Sequence, residues 1–358
     1  MMFKSYFLLA GLTFSALAAK TQAITDHQAL EAGHAIEKAT NSGNPAVIDH
    51  FLYPDSLLEN IRQKSQFLQD PDNLTPFRST FFPSFFNGKF GAQIMASIHN
   101  GSYRLLREYD DKGTKHLIFR MFGDGGLNYH DFKLVRVGDS IKAGDLYTYS
   151  LDDWTSGQIA RLTDIIGASS NYMDEGNAIQ KMRTQLNRQD YAGVKQTYDQ
   201  LPQKYQQNKF VLLVYIQACH HIDLGLYEKV LTDYSANFPD ASSCYLLLLD
   251  LYYSKKEYDK ALADIDKLDK VVGGDPLLNF LRGNAYALMG KDAESTGCYE
   301  KVYAYDPTLK INVLKLAGRY AATNQTDKAR KLIAAYMETP GYHIGDFNTL
   351  YDDYPDLR

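Results

Sequence analysis

Three cysteines in 358 residues, an odd number, are too few for a disulfide scaffold, and one Trp stands against 27 Tyr. The 11 Pro and 25 Gly show no collagen-like or low-complexity bias, and 45% hydrophobic residues are too many for a disordered chain. With 38 basic against 43 acidic residues the net charge is -5, so no basic footprint exists and nucleic acid is excluded as a partner. There is no phosphate loop, dinucleotide fingerprint or nucleophile elbow. His220-His221 are adjacent, whereas two metal ligands on a helix need a spacing of three or four, and Gly123-Asp124-Gly125-Gly126 has too few carboxylates for a calcium loop. No metal and no cofactor is expected.

Long apolar runs are also missing, except at the start. Lys4 followed by the apolar stretch Tyr6 to Leu17 and then small residues reads as a secretory signal peptide over 1–23, cleaved after Ala18 or Ala23. The stretch is shorter than the ~20 residues of a spanning helix, so the mature chain is expected to have no transmembrane span. It is expected to be exported, periplasmic or secreted. Export permits disulfides, yet Cys219, Cys244 and Cys298 all sit in apolar helical patterns, where either a Cys219–Cys244 bridge or buried thiols would fit.

The second half carries a repeat of 34 residues, starting at Ser242, Pro276 and Lys310. The eighth place holds Leu249, Gly283 and Ala317, and the eleventh holds Tyr252, Tyr286 and Tyr320. The twentieth holds Ala261, Ser295 and Ala329, followed by Ile265, Tyr299 and Ile333 at the twenty-fourth and Leu268, Val302 and Tyr336 at the twenty-seventh. Small residues let two helices cross closely, and Tyr and aliphatic side chains fill the space beside the crossing. Two shorter units precede these, around Val211 to Ala241 and Glu175 to Gln207.

This pattern resembles the tetratricopeptide repeat, most closely in Gly283-Asn284-Ala285-Tyr286 through Tyr299 to Asp306-Pro307. The resemblance implies stacked helix pairs over 175–343 that form a curved solenoid, with residues 344–358 as a C-terminal cap or tail. It also implies a protein or peptide partner held on the concave face by the first helices. On that face the sequence would present Leu212, Tyr215, Leu246, Asp250, Tyr253, Phe280, Asn284, Leu288, Ile311 and Leu314. Repeats that grip a C-terminal carboxylate use Lys, Asn and Arg there, and only Asn284 matches.

Residues 24–153 read as an α+β domain. Ala29, Leu30, Gly33, Ile36 and Ala39 share one helical face, further short helices follow, and Phe77 to Phe86 reads as a loop whose rings plug a core, the alternative being an exposed apolar patch. Strands at 103–109, 115–122, 127–137 and 140–151 are separated by Asp110-Asp111-Lys112-Gly113, Gly123-Asp124-Gly125-Gly126 and Gly138-Asp139, all hairpin turns. Helices followed by an antiparallel meander are similar to the nuclear-transport-factor-like cone fold shared with ketosteroid isomerases. The last strand alternates Ile141, Ala143, Asp145, Tyr147 and Tyr149 on one face. Asp145 would then lie in a ligand cavity with Arg120, His130 and Tyr147, as a base or as the partner of an Arg.

The expected architecture is thus an α+β N-terminal domain, a linker helix over 154–174 and an all-α tetratricopeptide solenoid. The expected function is an exported, non-enzymatic scaffold that binds a partner on its concave face, with no catalytic residue assigned. The alternative is an enzyme or small-ligand binder using the cavity around Asp145.

Overall fold

A computed structural model describes residues 23–85, 90–167, 172–239 and 241–358. The side chains of 81, 84, 85, 166 and 172–177 are outside that description. The signal segment expected over 1–23 lies outside the described residues apart from Ala23, and so does part of the expected linker.

The described residues open with helices and continue into an antiparallel sheet, as the element order in the sequence implies. The first helix, Asp26–Asn41, is opened by a capping box between Thr25 and Gln28, and it buries Ala29, Gly33 and Ile36 while Leu30 stays exposed. Helices Ala46–Phe51, Pro54–Lys64 and Phe90–Ser97 complete this layer. The aromatic run differs from the loop expected of it. Residues 71–85 are helical, with one wide turn at Phe77–Phe81 closed by Phe82 N–H donating to the Phe77 carbonyl. Phe77 and Phe82 are buried beside Leu57, Ile61 and Ile159.

Five strands follow: β1 (Ser102–Asp111), β2 (Thr114–Gly123), β3 (Gly126–Val137), β4 (Ser140–Thr148) and β5 (Asp153–Trp154). They pair in sequence order, each antiparallel to the next. One face packs on the N-terminal helices through Tyr103, Leu117, Phe119, Phe132, Leu134, Ala143 and Leu146. The other face packs on the C-terminal helices through Ile118 and Tyr129, joined by Tyr149 just past the end of β4. Burial on both faces explains why His116 to Met121 are buried without alternation.

Two register shifts, one between β1 and β2 and one between β3 and β4, change the faces that simple alternation gives. In β3 and β4, Lys133 pairs with Asp145 but Leu134 pairs with Ala143. Ala143 and Leu146 therefore both enter the helix-side core, while Tyr147 and Tyr149 join the opposite cluster. The single face expected for Ile141 to Tyr149 does not exist.

From Thr155 onward every described element is a helix: Thr155–Gly167, then antiparallel pairs. These are 172–187 with 191–200, 209–222 with 224–237, 242–254 with 258–272, 278–288 with 292–305, and 310–322 with 326–337. The recurring small positions lie at the crossings: Ala261, Ser295, Ala317 and Ala329 are fully enclosed, and a Cβ on Gly283 would stand 2.6 Å from the Tyr299 ring. Residues Asn348–Asp353 and Pro355–Leu357 fold back on the last pair, where Phe347 meets Tyr336 edge-on at 5.7 Å. Cys219, Cys244 and Cys298 are buried free thiols, so the Cys219–Cys244 bridge is not formed. Burial pushes the Cys219 and Cys244 thiols up to about 11, away from the reactive thiolate.

Candidate functional site

The ten residues expected on the inner face of the array separate into three groups. Leu212, Tyr215 and Phe280 are buried inside it: Tyr215 stacks on Tyr198 at 3.8 Å, and Phe280 packs on Tyr299 with centroids 5.9 Å apart. Leu246 and Tyr253 are half-buried in the cluster that includes Ile118, Tyr129 and Tyr149 of the sheet, and Tyr253 also donates to the Leu281 carbonyl at 3.2 Å. Leu314 is half-buried among Leu277, Phe280 and Val313. Asn284 accepts a hydrogen bond from the Tyr299 hydroxyl at 2.7 Å. Asp250, Leu288 and Ile311 remain exposed, Leu288 at 56% and Ile311 at 43%.

Part of the side expected to be the array's inner face is thus covered by the chain's own sheet. The contacts concentrate on the loops that join one helix pair to the next. Asp152 and Tyr147 meet Ser242 at the start of 242–254: the Ser242 N–H and hydroxyl both lie 2.7 Å from an Asp152 oxygen, and the Tyr147 hydroxyl donates to the same carboxylate at 2.6 Å. Lys209 completes this node. Burial alone would raise the Asp152 carboxyl, but these donors hold it below the usual range. At the next loop Arg107 donates to the Val272 carbonyl at 2.9 Å. Arg120 bonds Asp275 at 2.7 Å, and the Tyr129 hydroxyl reaches the other Asp275 oxygen at 2.8 Å. Burial and this carboxylate raise the Tyr129 phenol. At the loop after that, Arg104 lies 3.6 Å from Asp306.

The four residues expected to share a cavity are dispersed. Arg120 points to the helical array and pairs with Asp275, so neither ion pair nor cavity joins it to Asp145. His130 faces the opposite side, where its Nδ1 meets the Tyr103 hydroxyl at 3.0 Å, and burial depresses its pKa to about 4. Tyr147 belongs to the Ser242 node. Asp145 holds the start of helix Thr155–Gly167: one oxygen accepts the Ser156 N–H at 3.1 Å and the other accepts the Ser156 hydroxyl, with Lys64 at 3.6 Å. Both oxygens of Asp145 are engaged, so it does not stand open as a base.

A second polar group was not singled out by the sequence. His116 Nδ1 lies 2.9 Å from Asp131, whose other oxygen accepts from Tyr109, and the Tyr109 ring stacks on His116 at 4.8 Å. The carboxylate fixes the proton on Nδ1. His116 and Asp131 lie fifteen residues apart on neighbouring strands, so only the register brings them together. His220 and His221 pack edge-on against each other, and Tyr191 stacks on His221 at 4.1 Å. No group of three metal-ligating side chains occurs among the described residues, and no described helix is long and apolar enough to cross a membrane.

No protein-family model and no curated protein matches the chain. Among solved structures, a thermophilic TPR protein of Thermus thermophilus is similar to it at 17% identity, covering 50% of this chain and 97% of that one, with a TM-score of 0.37.

Proposed function

We propose that the protein is an exported scaffold that holds a protein or peptide partner on its array of helical hairpins, which we read as tetratricopeptide repeats. The observation that supports this most is the agreement of sequence period and backbone. The turns inside three successive pairs each hold one residue of positive φ, Lys256, Gly290 and Asn324, spaced by the same interval as the side-chain pattern. An array of this kind places its helices at regular intervals and offers a long surface for recognition.

Of the expected partner-binding residues, Asp250, Leu288 and Ile311 carry the reading, since the others are engaged within the chain. Leu288→Glu with Ile311→Glu is expected to abolish capture of a cross-linked partner from the exported fraction, with the far-UV CD spectrum unchanged. Leu224→Glu, at a residue 70% exposed in the first turn of helix 224–237, elsewhere on the array, is expected to leave capture intact. Equal capture by both variants refutes the inner-face assignment.

A further inference from the structure

We infer that the sheet is a splint that sets the curvature of the helical array. Repeats in a stacked array contact only their neighbours, so small rotations between successive repeats add up to the shape of the whole. Here three consecutive joints are tied to one external body. The joint before 242–254 is tied by Asp152 and Tyr147 through Ser242. The joint between 258–272 and 278–288 is tied by Arg107, Arg120 and Tyr129. The joint between 292–305 and 310–322 is tied by Arg104 through Asp306.

Apart from Asp152, which sits in the turn between β4 and β5, the anchors stand on strands whose hydrogen-bonded ladders fix their separations. β1 carries Arg104 and Arg107, β2 carries Arg120, β3 carries Tyr129 and β4 carries Tyr147. A shift of one repeat against the next would have to break an anchor. The middle tie is the most confined: the Arg120 and Asp275 side chains are 2% and 0% exposed, and the same Asp275 oxygen accepts the Leu277 N–H at 2.9 Å. Asp275 therefore links the sheet to the start of helix 278–288. Arg120 also lies over the Tyr305 ring at 5.5 Å, so the contact reaches the end of that repeat's second helix. The ties at Ser242 and Asp275 are directed, charge-assisted bonds that fix orientation as well as distance, and Arg104 with Asp306 adds a longer ion pair at 3.6 Å. The spacing of Asp250, Leu288 and Ile311 is on this account held before a partner arrives. That last consequence rests on the scaffold reading; the splint itself does not.

The test reads shape and needs no partner. Spin labels are placed through Ser254→Cys and Ala322→Cys, on separate repeats of the full chain, whose native thiols are buried. The splint predicts one narrow inter-label distance in the otherwise unaltered protein. It predicts a shifted and broadened distribution in Arg120→Met/Asp275→Asn and in Arg104→Met/Arg107→Met. The second pair leaves the buried ion pair in place and decides the matter if the first fails to fold. An unchanged distance in a folded variant of either kind overturns the proposal. Loss of partner capture in Leu288→Glu has no bearing on that distance, so the two readings fail separately.

Discussion

At the scale of single residues, burial sets the behaviour of the polar groups. His130 is enclosed in the helix-side core, where its Nδ1 meets the Tyr103 hydroxyl, and its pKa falls to about 4. An unfolded histidine titrates near 6.5, so between the two values the unfolded chain binds the extra proton. Stability from this group is complete above pH ~6.5, declines as pH falls toward about 4, and changes by roughly 3 kcal/mol in all. His130→Gln is expected to flatten the pH dependence of the urea midpoint between about pH 4 and 6.5; an unaltered slope would refute the assignment. The sequence marks His130 as a polar strand residue and a candidate for the cavity around Asp145, from which the structure separates it. Its face depends on strand pairing, and so does the neighbourhood of Asp145.

At the scale of elements, the repeat was the most legible feature because it is local. The carbonyls of Tyr252, Tyr286 and Tyr320 each accept the N–H five residues on, from Glu257, Lys291 and Gln325, at 2.8, 2.9 and 2.8 Å. That bond closes the turn and requires a left-handed residue just before the donor, where Lys256, Gly290 and Asn324 stand. An L residue in this conformation costs roughly 1–2 kcal/mol, partly offset by the greater freedom of unfolded glycine. Gly290→Ala should lower stability by about 1 kcal/mol and Lys256→Gly should raise it by a smaller amount, both read from chemical denaturation. The same sign for both substitutions would contradict the turn geometry. The strands were legible from their turns, but the shift at Lys133 and Leu134 was not, because a bulge leaves no fixed mark in one strand's composition.

At the scale of the molecule, the sheet is a middle layer with N-terminal helices on one side and the array on the other. Its second core mixes Ile118, Tyr129 and Tyr149 with Leu249, Leu268 and Leu278, so sheet and array share buried surface. Replacing Arg120 alone strands the Asp275 carboxylate, a change expected to cost about 3–5 kcal/mol. Arg120→Met/Asp275→Asn removes the buried charge while the Asn oxygen can still accept from the Leu277 N–H and its amide NH2 can donate to the Tyr129 hydroxyl oxygen, and most of that loss should be recovered. Thermal unfolding checks both, with a single transition for the wild type. Two separate transitions in the wild type would show that the shared core does not couple the halves.

The sequence by itself determined what depends on near neighbours: the helical hairpins, their interval, the places of small and aromatic residues, and the strand-turn-strand run. Most of the tyrosines are of this kind, with 20 of the 27 after residue 170 and several at recurring packing places. The tertiary structure decided which surfaces meet. It drew Arg120 to Asp275, 155 residues away, buried Phe280 and Tyr215, and left Leu288 and Ile311 in solvent. The physical reason is range: periodicity and turn chemistry act over a few residues, whereas the partner of a buried charge is whatever the docked layers place within hydrogen-bonding distance.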